Sequence, residues 1–149
     1  MADTSTDVTD LAVEIILPDA PPDDLHAEVY ESLGIVPDVK GPDRDLGDPN
    51  AIVVFLAGGI FEVLLDRFGN AALDRLARFC RKVLNSRKAP GVSREMRLVV
   101  GARRGVTFLV DGQVAEDARA LAEMLNVDVA SYPDGTTLRW RPGRARWEP

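Results

Sequence analysis

The chain of 149 residues holds one cysteine, Cys80, and one histidine, His26. A lone thiol closes no internal disulfide, and one Cys with one His falls short of the ligand set a Cys/His zinc site needs. A histidine-based triad would have to be built on His26, which falls in an acidic helical segment and reads as a surface side chain. Aromatic residues are scarce at 6%, too few to line a sugar cleft. The carboxylate pair Glu62 and Asp66 sits four residues apart on one helix face, whereas glycosidase acids come from separate elements. The longest apolar run, Ala51 to Phe61, stops at Glu62; a membrane-spanning helix needs about 20 apolar residues. No basic stretch followed by an apolar run opens the chain, so secretion is not expected and a reducing cytoplasm is.

Phosphate-binding glycine patterns are missing as well. Gly58-Gly59 lacks the GxxxxGK[ST] spacing, and no GxGxxG follows a strand. Asp43, Asp45 and Asp48 fail as a calcium loop. With the first two at the leading ligand positions, Gly47 falls on the third ligand and Val54 on the bidentate acid. A solvated loop is the better reading. No cofactor or metal is expected, and no enzymatic activity.

What is present suits one globular domain: 46% hydrophobic and 28% charged residues, at a length that needs no division. The net charge of −6 is unevenly spread. Residues 1–50 carry 13 acids against Lys40 and Arg44, a balance of −11; the remainder carries +5. A net-acidic chain argues against generic nucleic-acid binding.

Along the chain, residues 1–10 read as a flexible polar tail. Leu11 to Leu17 (LAVEIIL) reads as a strand ended by Pro18. Asp23 caps a short helix with Leu25, Val29 and Leu33 at a spacing of four and Gly34 as its stop. Residues 37–50, rich in Pro, Gly and Asp, read as a loop. Asp48-Pro49 has the form of a helix start, predicting a largely apolar helix to Phe68 interrupted by Gly58-Gly59. The alternative is a buried strand over Ile52 to Leu56, because periodicity does not resolve a short apolar run. Asn70 caps a helix to about Ser86. Its apolar stripe (Ala72, Leu73, Leu76, Ala77, Cys80, Val83, Leu84) leaves Arg75, Arg78, Arg81 and Lys82 turned outward. Cys80 on that stripe reads as core packing.

Met96–Ala102 and Val106–Val110 predict a hairpin around Arg103-Arg104-Gly105. A last helix follows Asp111-Gly112, with Val114, Ala118, Leu121, Ala122 and Leu125 on one face. A second hairpin is predicted between Val127–Tyr132 and Thr136–Arg141 across Pro133-Asp134-Gly135. The expected fold is α+β. It has an antiparallel or mixed sheet of about four or five strands, packed on a long Gly-interrupted apolar helix region and two shorter helices. The domain spans residues 11–141, and 142–149 are expected to form an irregular basic tail.

The strand LAVEIIL, the stretch AIVVFLAGGIFEVLL, the Arg-rich helix LDRLARFCRKVLNSR, the hairpin MRLVVGARRGVTFLVDG and the helix VAEDARALAEML occur in an order that resembles the effector-associated constant component family of actinobacterial conflict systems. The resemblance covers residues 11–126 and is one of order and texture. It implies a non-catalytic adaptor that recruits or regulates an effector in defence. The chain differs in its short first helix, its Asp-rich loop and its additional C-terminal segment.

Two surfaces carry the functional expectations. Arg75, Arg78, Arg81 and Lys82, with Arg103 and Arg104 at the hairpin tip, are the expected protein-partner contacts. Arg139, Trp140, Arg141, Arg144, Arg146 and Trp147 interleave cations with stacking surfaces, which gives the alternative of nucleic acid or anionic lipid. A structural account of that segment is an edge strand with its arginines in water and Trp140 on the core. A third account pairs this basic end with the acidic N-terminal half, within a molecule or between copies.

Overall fold

The computed structural model describes residues 13–16, 25–34, 36–40, 52–85, 95–101 and 105–149. Seven strands, β1 (Val13–Ile16), β2 (Asp38–Lys40), β3 (Ile52–Leu56), β4 (Glu95–Val100), β5 (Val106–Asp111), β6 (Thr137–Arg141) and β7 (Arg146–Glu148), form one mixed sheet in the order β2-β1-β3-β4-β5-β6-β7. Pairing alternates across it: β1/β2, β3/β4 and β5/β6 are parallel, and β1/β3, β4/β5 and β6/β7 antiparallel. The helices are α1 (Leu25–Leu33), α2 (Ile60–Phe68), α3 (Ala72–Asn85), α4 (Gly112–Glu116) and α5 (Ala118–Asn126). The class is α+β.

Register explains where the core lies. Ile15, Val54, Leu98, Phe108 and Leu138 stand side by side on successive strands, as do Val13, Leu56, Val100 and Val106. Side chains alternate faces along a strand, so both rows share one face. On that face they join Val29 and Leu33 of α1, Ile60, Phe61 and Leu64 of α2, the stripe of α3, and Ala120, Leu121 and Met124 of α5 in one buried cluster. The parallel pairs β3/β4 and β5/β6 are each joined by helices, α2–α3 and α4–α5. The opposite face carries Glu14, Phe55, Val99 and Thr107 in one row and Ile16, Val53, Arg97 and Leu109 in the next.

The helix expected over 48–68 is divided. Ile52–Leu56 is a strand with four of its five residues buried, the second of the two readings open for that run. A central strand covered on both faces is apolar without alternation, which is why the run also looks helical. Gly58-Gly59 is a turn, not a helix interior: Gly59 adopts φ +79° at the N-cap of α2, a region that disfavours every residue with a Cβ. The start at Asp48-Pro49, like residues 1–10 and the rest of 41–50, lies outside the described residues.

The second hairpin is also differently built. Val129–Ser131 is a 3-10 turn capped by the Asp128 carboxylate, which accepts from the Ala130 N–H at 3.2 Å. Thr137–Arg141 instead pairs in parallel with β5 and antiparallel with β7. Residues 142–149, expected to be irregular, therefore contain a turn and an edge strand. Among the described residues seven strands stand where four or five were expected. The last helix is two, parted at Asp117, whose carboxylate caps α5 through the N–H groups of Arg119 and Ala120.

Candidate interaction surfaces

The basic residues of α3 divide into two pairs. Arg75 turns toward α1, where its Nη1 donates to the Glu31 carbonyl at 2.6 Å, and its guanidinium lies 4.5 Å from the Phe68 ring centre. Lys82 also reaches α1, its Nζ 3.3 Å from Glu28 Oε1. Helical spacing puts positions 75 and 82 two turns apart on one ridge, so the pair holds α1 against α3 at two points. Arg78 and Arg81 are exposed. Arg81 stands on the rim of a groove of about 500 Å³ between the end of α3 and the start of α4, with Leu84, Asn85, Gln113 and Glu116 among its lining. The tip residues Arg103 and Arg104 lie outside the described residues.

The C-terminal hairpin separates its tryptophans from its arginines by strand alternation. Trp147 is 4% exposed. Its indole N–H donates to the Ala120 carbonyl at 2.9 Å, and its ring meets Phe108 edge-on at 5.2 Å. Trp140 packs against Trp147 with ring centres 5.7 Å apart, and its own indole N–H is buried without a hydrogen-bond partner. The tryptophans therefore belong to the core side and offer little ring face to a base. Arg139, Arg141 and Arg146 project from the other side of the strands, and all three are exposed, as is Arg144 in the turn. Glu148 gathers three of these cations. Its carboxylate is 3.1 Å from Arg144, 3.0 Å from Arg146 and 3.9 Å from Arg141.

A third feature was not among the sequence candidates. Where β3 and β4 end, the Gly58-Gly59 turn, Gly101 and the segment 125–130 enclose a cleft of about 470 Å³. Its apolar lining includes Phe61, Val100, Leu125, Val127 and Val129; Glu62 and Asp128 supply its carboxylates, and among the described residues no basic side chain lines it. A Cβ on Gly58 would make only ordinary van der Waals contact, 3.9 Å, with the Gly101 backbone. The sequence signal was the glycine pair directly after an apolar run, which marks a strand-to-helix turn once the run is assigned as a strand.

Cys80 is fully buried, and burial pushes its thiol up to about 12, with the nearby Arg81 charge acting weakly in the other direction. It is a core hydrophobe. His26 falls within α1. Glu62 and Asp66 lie on α2 as the spacing predicted. Among the described residues, no three or more His, Cys, Asp or Glu side chains are grouped so as to hold a metal ion, and no helix is long and apolar enough to cross a membrane. Comparison with family models, curated proteins and solved structures gave no match.

Proposed function

We propose that the protein is a non-catalytic interaction module of the cytoplasm, an adaptor that recruits or regulates an effector in a bacterial conflict system. The setting rests on the resemblance over residues 11–126. The carrying observation is the division of α3: Arg75 and Lys82 are engaged with α1, while Arg78 and Arg81 stay exposed, Arg81 on the rim of a groove. Exposed cations of this kind set association rate and partner choice more than fold stability. An acidic surface on the effector is the matching chemistry.

The test is capture from the native host on immobilised protein. Wild type is expected to retain one effector reproducibly. Arg78→Glu/Arg81→Glu should lose it, and Arg119→Glu, on exposed α5 surface, should keep it. Recovery of no reproducible partner, or of one indifferent to the double substitution, would refute the reading. Nucleic acid or anionic lipid at the four C-terminal arginines is the second reading, supported by their shared exposure. Its signature is affinity that falls steeply with salt.

A further inference from the structure

We propose that the protein associates with itself head to tail, the β6–β7 turn of one copy seating in the Gly58-Gly59 cleft of the next. Charge and apolar character match at the two places. Three guanidinium groups, Arg141, Arg144 and Arg146, share the single carboxylate of Glu148, and their side chains remain 49%, 72% and 67% exposed. Among the described residues, two positive charges are thus left over at the hairpin end. The cleft is lined, among the described residues, by two carboxylates, Glu62 and Asp128, and by no cation. The turn also presents an exposed apolar apex at Pro142 between Arg141 and Arg144, and the cleft has an apolar lining of Phe61, Val100 and Leu125. An apolar contact inside a charged rim is the usual arrangement of a specific interface.

Topology makes the contact intermolecular. The cleft lies where β4 ends and β5 begins. β6 runs parallel to β5, with Thr137 beside Thr107, so it starts at the cleft end and delivers Arg141 to the other. At about 3.3 Å per residue, the five-residue β6 holds the turn roughly 15 Å from the cleft. One copy cannot fill its own cleft. A contact between two different surfaces leaves a free cleft and a free turn on every pair, so the assembly grows with concentration unless it closes as a ring. Its footprint is a turn in a pocket, well below the roughly 1,200 Å² of a stable interface, so the association is weak.

Sedimentation velocity of the full chain tests this. At low ionic strength the average sedimentation coefficient is expected to rise with concentration, and to return to the monomer value near 1 M salt, where the screening length is about 3 Å. Glu62→Gln/Asp128→Asn blocks the cleft without changing shape, and asparagine still caps the 129–131 turn. Arg141→Gln/Arg144→Gln blocks the turn. Each variant alone should be monomeric, whereas a mixture of the two should form a one-to-one dimer and nothing larger, since only one cleft and one turn remain. A wild type that stays monomeric at every concentration overturns the proposal, as does undiminished association of either variant or a mixture that does not dimerise. If circular dichroism shows either double variant unfolded, Glu62→Gln and Arg144→Gln alone replace the pairs, and each must weaken association at least tenfold. The adaptor reading does not depend on this contact and survives its failure.

Discussion

Two tryptophans of the same hairpin should respond in opposite ways to replacement by phenylalanine. Trp147→Phe removes two buried ring carbons, worth about 1.6 kcal/mol at about 0.8 kcal/mol per carbon. It also removes the indole N–H bond to the Ala120 carbonyl, a loss of about 1 kcal/mol. The sum is a destabilisation of about 2.5 kcal/mol, or a fall in Tm of roughly 5–10 °C for a chain of this size. Trp140→Phe loses packing too, but from a ring that is only half-buried. It relieves a buried donor with no acceptor, whose desolvation costs about 1–3 kcal/mol. The two effects oppose, and Trp140→Phe should be neutral or stabilising. Urea unfolding followed by far-ultraviolet circular dichroism reads both. The two midpoints should differ by the equivalent of about 2 kcal/mol at unchanged m. Equal midpoints, or a larger loss at position 140, would refute the assignment of Trp147 as the anchored ring.

On α3, Arg75→Ala should cost about 1 kcal/mol through the lost bond to the Glu31 carbonyl and the Phe68 contact, while Arg78→Ala leaves the urea midpoint unchanged; equal effects would mean α1 is held by other contacts. The thiol of Cys80 is raised from its ordinary 9.0 to about 12. Its contribution is therefore fully present below pH 9 and is lost as pH climbs toward 12, because the unfolded chain releases the proton first. Relative to Cys80→Ala, wild type should lose about 1.4 kcal/mol of stability per pH unit in that window. Identical slopes for the two proteins would place the sulfur in contact with water.

Several elements could be read directly from residue order. Val13–Ile16, within LAVEIIL, became β1, the spacing of Leu25, Val29 and Leu33 became α1, and the hairpin of β4 and β5 lies where its alternation put it. Its branched residues and the cap of the next helix at Asp111, which accepts from the Val114 N–H at 2.9 Å, are local signals. The misassignments share a cause in longer-range order. Ile52–Leu56 shows its strand nature only when β1 and β4 are known to flank it. The segment 142–149 is held by a rung between Trp140 and Trp147, although the alternation of Leu138, Trp140 and later Trp147 with arginines was there to be read. The surface candidates show the same limit. Helical spacing established that Arg75 and Lys82 face away from their own helix's apolar stripe. It could not show that Glu28 and the Glu31 carbonyl, 54 and 44 positions away, would meet them. The cleft draws on three segments separated in the chain, so no single window displays it.

The strand order has a consequence for how the molecule tolerates being cut. From β3 onward each strand lies beside its predecessor in the chain, so removing strands from the carboxyl side trims the sheet inward from one margin. β1 breaks that rule, because it lies between β2 and β3. Deleting this amino-proximal strand would open a gap inside the sheet and strand β2 on the far side of it. A start site placed after Ile16 should therefore give a chain that fails to assemble, although it retains six of the seven described strands.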